Sequence, residues 1–173
     1  VYNIFEDMKT RSVYNDILSN VSLNSLNEYL IMTNKDKKKH NFDNIQVITI
    51  IRDPIKRVYS HYYDALKNKK HPYFSIAKRG LKNFCHKAWE AQNLYCRYYS
   101  GNLNSDFERN IALAKKNLKY FNEVILFEDL NKKISMHKNK KSYPDITELD
   151  KKIIEKYNQY DIEIYKFAKN IVN

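Results

Sequence analysis

Residues 45–51, IQVITII, form a β-branched, apolar run that stops abruptly at Arg52-Asp53-Pro54. Beyond the proline the apolar positions change to helical spacing, at Ile55, Val58, Tyr59, Tyr62, Tyr63 and Leu66. A change of period within three residues dictates a buried strand delivered directly into a helix. Asp53 has the short oxygen-bearing side chain of a helix N-cap, and Pro54 suits the first helical position. Arg52 therefore stands where the strand ends. In open α/β sheets this is the edge where ligands bind, beside helix N-termini. Ser60 follows about two turns into the helix, placed to direct its hydroxyl at the same anion, so Arg52 and Ser60 read as a phosphate clamp.

The chain has 173 residues, enough for one domain with a real core. Its hydrophobic content of 43%, with 14% aromatic, argues against a disordered chain. With only 2 glycines, Gly80 and Gly101, no glycine-rich phosphate loop of the G-x-x-x-x-G-K-[ST] type can be written anywhere. The chain opens at Val1 on a helical pattern, without the strand and loop that begin most nucleotide-binding α/β domains. The expectation is a fragment that starts just after them. No apolar stretch approaches the roughly 20 residues a membrane span needs, and no signal peptide is visible.

The formal charge of +11 has two explanations of equal weight. It suits an anionic partner, such as a nucleotide, an acidic glycan or nucleic acid. It also follows from the joint richness in Lys, Asn, Ile and Tyr that AT-biased coding produces without selection for binding. Cys85 and Cys96 are too few for a disulfide framework and lack metal-ligand company, which favours a reduced, intracellular protein without a metal site, a single disulfide being the alternative.

Along the chain, the spacing predicts a helix over 4–19, an ambiguous segment over 20–32 and a polar loop over 33–44. The strand at 45–51 and the helix at 54–68 follow. Residues 69–84 read as irregular and basic, anchored by Tyr73 and Phe74. A helix is expected over 88–99, stopped by Gly101, and an amphipathic one over 106–118. A second strand over 124–127 closes on Glu128-Asp129 and leads through a short helix near 129–134 to a lysine-rich loop at 137–143. The last helix spans 147–171, with Thr147 and Asp150 as a capping-box variant. Its inner face is read as Ile153, Tyr157, Tyr160, Ile164, Phe167, Ala168 and Ile171. Two short strands among this many helices give a helix-rich α/β fold with a small parallel sheet that lacks an upstream strand.

The motifs, taken in order, resemble the sulfotransferases that modify carbohydrates. VITIIRDPIKRVYSHYY matches that family's 3′-phosphate-binding element, in which an arginine at a strand end and a serine eight residues later grip the cofactor; here these are Arg52 and Ser60. Arg57 and the trailing tyrosines also match. NLYCRYYSGN (93–102), NLKYFNEVILFEDL (117–130) and ITELDKKIIEKYNQYDIEIYKFAK (146–169) are similar to the elements that follow, including a Tyr-Asp pair at Tyr160-Asp161. The likeness spans most of residues 40–170. The family's Lys-containing 5′-phosphosulfate loop has no counterpart here.

The resemblance implies a single, partial sulfotransferase-like domain over 1–173, P-loop-like but without its first strand and phosphosulfate loop. The implied reaction transfers a sulfuryl group from 3′-phosphoadenosine 5′-phosphosulfate to a hydroxyl of a carbohydrate acceptor. This chain alone is incomplete for that catalysis. Arg52 and Ser60 would bind the cofactor. Arg57 is the supporting cation, more simply a brace paired with a nearby carboxylate. Glu128, at a strand end, reads as a cap for the next helix, the alternative being a residue that orients an active-site group, and Asp161 reads as structural.

A histidine upstream of the arginine strand serves as base in some relatives, which makes His40 the candidate here, in a lysine-rich loop where it can equally be solvated. A glutamate from a missing N-terminal segment is the alternative base. His61, beside Ser60, would point off the phosphate face. A microbial, cytoplasmic setting is expected, the Golgi lumen being the alternative.

Two other functions stay open on the residues. One is a basic nucleic-acid-binding module, although most tyrosines fall at core-facing helical spacing and no nucleic-acid signature appears, so no specific nucleic-acid partner is expected. The other is a different nucleotide-dependent transferase or kinase on a similar sheet.

Overall fold

Asp53 turns strand into helix. Its Oδ1 accepts hydrogen bonds from the backbone N–H of Ile55 at 2.8 Å and of Lys56 at 3.3 Å, while Pro54 opens the helix. A computed structural model describes residues 48–102, 105–130 and 143–172. The expected elements between 4 and 47, His40 among them, lie outside the described residues, as do nearly all of the helix at 129–134 and the loop at 137–143.

Strand β1 (Ile48–Ile51) feeds helix α1 (Pro54–Lys67). Strand β2 (Glu123–Leu126) pairs with β1 in parallel, Ile48 opposite Glu123 and Ile51 opposite Leu126. Parallel pairing demands a long crossover, here α1 followed by α2 (Phe74–Ala77), α3 (Leu81–Lys87), α4 (Leu94–Ser100) and α5 (Phe107–Leu118). A 3-10 turn at Phe127–Asp129 closes β2, and α6 (Glu148–Val172) crosses the whole assembly. The fold is helix-rich α/β with a two-stranded parallel sheet among the described residues.

Four expectations need correction. The β1 strand is not buried along its length: Ile48, opposite a charged residue at the open end of the ladder, is 42% exposed, and only Ile51 is sealed. The segment 69–84 is not irregular. Ala77, Leu81, Phe84 and Cys85 recur at helical spacing and are all buried, a pattern masked in the sequence by the intervening lysines. Gly80, at φ 95°, turns the chain between α2 and α3, a conformation costly for any residue with a Cβ.

The helix expected over 88–99 is broken. A 3-10 turn at Trp89–Ala91 precedes Asn93, whose left-handed backbone (φ 45°) restarts the chain as α4, and Gly101 (φ 70°) stops it. Lastly, the inner face of α6 keeps Ile164 and Ala168 buried, with Ile153, Tyr157, Tyr160 and Phe167 packed part-buried on the cores, but its buried line also takes in Ile154, Asn158 and Asp161, and Ile171 is exposed. The capping box at its start is reciprocal: Asp150 N–H donates to Thr147 Oγ1 at 3.1 Å and Thr147 N–H to Asp150 Oδ2 at 3.1 Å.

Two apolar cores result. The first gathers Val58, Tyr59, Ala65, Ala77, Leu81, Phe84, Cys85 and Ile154. The second gathers Ile51, Cys96, Tyr99, Ala114, Leu118, Leu126, Ile164 and Ala168. Cys85 and Cys96 are thus free thiols in different cores, each pushed up to about 12 by burial and so inert as thiolates.

His61 is packed edge-on against Phe84, with ring centroids 5.1 Å apart, and lies near His71 and Tyr73. Burial lowers its pKa from the ordinary 6.5, partly opposed by Glu90, whose Oε2 is 3.4 Å from Nε2. The unfolded chain therefore takes up a proton at this site before the folded chain does. The contribution is present above pH 6.5 and is lost as the pH falls below it. The urea midpoint is expected to drop between pH 7.5 and 5.5, and to drop less in His61→Phe. Equal drops in both proteins would remove His61 as the cause.

Candidate functional site

Arg52 and Ser60 line one shallow cleft of about 180 Å³, together with Lys56, Tyr59, Tyr143, Pro144, Asp145 and Ile146. The arginine's backbone is anchored from outside the sheet. Tyr95 Oη accepts from Arg52 N–H at 3.2 Å and donates to Arg52 C=O at 3.0 Å, as a neighbouring strand would. The guanidinium rests over the Phe127 ring at 4.9 Å, makes no ion pair among the described residues, and keeps a buried Nε–H without a partner. Arg57 and Arg97 share that orphaned atom, but their terminal nitrogens are engaged by protein acceptors. Of these three, Arg52 is the one whose terminal nitrogens meet no protein acceptor among the described residues.

Ser60 Oγ donates to Tyr143 Oη at 3.2 Å, and that phenol donates to Asp64 Oδ1 at 2.9 Å. The hydroxyl is thus held toward the cleft by a relay that ends on a carboxylate. Lys56 lies one helical turn before Ser60 on the same face, so the cleft gains a second cation. Sequence reasoning missed Lys56, although its i, i+4 spacing to Ser60 was visible. Tyr143 comes from a distant segment and left no signal. Tyr59 Oη donates to Asp145 C=O at 3.3 Å, and burial pushes its phenol further up, so it stays protonated.

Arg57 does not reach this cleft. It turns inward, donating from Nη1 to Glu90 C=O at 2.7 Å and from Nη2 to Asp161 Oδ2 at 3.1 Å and Asn158 Oδ1 at 3.3 Å. Burial raises the Asp161 carboxyl, against the pull of Arg57 and of the backbone N–H groups of Cys96, Tyr95 and Leu94. Asp161 thereby caps α4, as Oδ1 accepts from Cys96 N–H at 2.9 Å. Asn93 answers in the opposite direction, its Oδ1 accepting from the N–H of Tyr160 and Asp161 at 3.1 and 3.3 Å, where α6 kinks at Asn158. Asn93 and Asn158 went unread in the sequence, since one amide at a helical position carries no signal by itself.

Glu128 is engaged on the side of α1 and α6. Its two oxygens accept from Asp53 N–H at 3.4 Å and from Tyr165 Oη at 3.0 Å, tying the end of β2 to the start of α1 and to α6. His61 faces Phe84, away from the Ser60 cleft. His40 and His137 lie outside the described residues.

Among the described residues no group of three or more His, Cys, Asp or Glu is placed to hold a metal ion, and no helix is long and apolar enough to cross a membrane. Chemically, the cleft offers two cations against one carboxylate, Asp145, with the Ser60 hydroxyl, two phenols and an unsatisfied guanidinium N–H, a net positive set that suits a tetrahedral oxyanion. Comparison with protein-family models finds no match, and comparisons with curated proteins and with solved structures find none either.

Proposed function

We propose that this chain binds the 3′-phosphate of 3′-phosphoadenosine 5′-phosphosulfate and is part of an enzyme that transfers a sulfuryl group to a carbohydrate hydroxyl. The observation that carries the reading is the convergence of Arg52, Lys56 and Ser60 on one cleft, with the Arg52 Nε–H unpartnered. At about 180 Å³ the cleft is smaller than the roughly 300–1,000 Å³ of whole-ligand sites, so it suits one phosphate group rather than the full nucleotide.

Arg52 would present a planar fork to two phosphate oxygens, and Lys56 would add charge. Ser60 would exchange its bond to Tyr143 for one to phosphate, leaving Tyr143 held by Asp64. When bound, the cofactor supplies the sulfuryl group and a bisphosphate leaving group. As in phosphoryl transfer, the protein's part is chiefly positioning and charge stabilisation.

The test is calorimetric titration with adenosine 3′,5′-bisphosphate. A charge-assisted hydrogen bond contributes about 1.5–3 kcal/mol, so Arg52→Ala should weaken binding by roughly 10–100-fold while the circular dichroism is retained. Ser60→Ala should weaken it by about fivefold, as befits a single neutral donor. Equal binding by a folded Arg52→Ala protein sinks the reading, as does a wild-type chain that ignores the bisphosphate. A preference for ATP over the bisphosphate would point to a kinase-like transferase instead.

A further inference from the structure

Between Asp64 and Glu90 the chain carries seven lysines and arginines and not one acidic residue. The seven are Lys67, Lys69, Lys70, Lys78, Arg79, Lys82 and Lys87, all of them exposed. Lys69, Lys70, Arg79, Lys82 and Lys87 make no ion pair among the described residues, so their charge is not neutralised within the fold. Elsewhere two lysines pair with acids, Lys115 with Glu163 and Lys151 with Glu148.

This positive stretch is folded around a groove. Arg79, Lys82, Asn83, His86 and Tyr157 line an open cleft of about 400 Å³ between α3 and the first half of α6. It shares no lining residue with the Arg52–Ser60 cleft, and its volume lies within the range of ligand sites. Its floor is preformed. Asn83 donates to Ile76 C=O at 3.2 Å, and the His86 and Tyr157 rings lie against each other with centroids 6.0 Å apart.

We propose that this groove is a second anion site, which takes an acidic polysaccharide bearing sulfate or carboxylate groups. The spread of cations along 25 residues fits an extended polyanion better than a compact one. A single-stranded nucleic acid is the other extended polyanion, but it draws much of its affinity from bases stacked on open aromatic faces. Of the aromatic rings here, Tyr157 alone is a groove-lining ring, and it lies against His86; the others are committed. Tyr73 and Phe84 are packed edge-to-face with each other and with His61, and Tyr62 also packs on Phe84. What the groove presents is a guanidinium, an ammonium, an imidazole, an amide and one phenol ring, a set dominated by the donors that grip anionic groups on a sugar chain. The inference stands apart from the Arg52 site and survives if that reading fails.

The test compares fluorescence anisotropy of a labelled dextran sulfate fragment with that of an oligothymidylate of equal charge, both in 150 mM salt, where diffuse surface attraction is largely screened. Three proteins are used: wild type, Arg79→Gln/Lys82→Gln, and the equal-charge control Lys116→Gln/Lys166→Gln on exposed positions of α5 and α6. Dextran sulfate should bind the wild type, lose at least tenfold in the groove variant and change less than threefold in the control. Equal losses in both variants would reduce the groove to background charge and overturn the proposal. So would absence of wild-type binding, or an oligothymidylate that binds as tightly with the same loss in the groove variant.

Discussion

Asp161→Ala is expected to destabilise the protein by about 3–5 kcal/mol, the cost of stripping one partner from a buried ion pair. The carboxylate is wholly buried, and the Arg57 side chain that faces it is only 14% exposed, so water cannot replace the lost partner well. Two groups would lose their shared acceptor together: the Arg57 guanidinium, left with only the neutral Glu90 C=O and Asn158 Oδ1, and the N-terminal N–H groups of α4. Against a total stability of roughly 5–15 kcal/mol this is a large fraction, and it should appear as a fall of about 10 °C in melting temperature. Asp161→Asn separates the two effects, because its amide oxygen can still accept from Cys96 N–H while the charge is gone. It should cost less than alanine. A shift of under 1 °C in Asp161→Ala would mean that the pair and cap are not what hold α4.

Phe84→Ala should be nearly as damaging, at about 3–5 kcal/mol, because it removes the largest fully buried side chain of the first core. Phe84 touches rings from three directions, with centroid distances of 5.1 Å to His61, 5.5 Å to Tyr62 and 6.1 Å to Tyr73. Those rings belong to α1 and to the loop before α2, which cannot close on the void independently. Urea denaturation would read the loss as a lower midpoint at unchanged slope. Phe84→Leu, which keeps most of the volume, should recover more than half of it. If alanine and leucine behave alike, ring contacts rather than filled volume are what count there.

Much of this architecture could be read in the residues before any coordinates. The strand-to-helix switch at Asp53-Pro54, the end of α4 at Gly101 and the Thr147–Asp150 box are local devices, each written within four residues, and each is found where it was expected. The interruptions were harder to read because their causes lie far apart in the chain. Asn93 breaks a helical pattern to satisfy the backbone of α6, 67 residues on. Asn158 kinks a helix while donating to Ala91 C=O, also 67 residues away. Hydrophobic periodicity reports which side of a helix is inward, but the inner side of α6 carries two polar residues at its centre, which an apolar count passes over. At the cleft, Arg52 and Ser60 were legible because one helix sets their spacing, whereas Tyr143 arrives from another segment and is known only from the fold.

The anchoring of β1 by tyrosines links places that look unrelated. Tyr95 holds both backbone polar groups of Arg52, and Tyr99 Oη meets Thr49 Oγ1 at 2.9 Å, so α4 acts as a jig that sets the strand's final residues. That jig is itself pinned by one carboxylate on α6. The aim of the cleft's arginine is therefore inherited from a buried anion on another element, and a mutation that never touches the cleft can still misalign it.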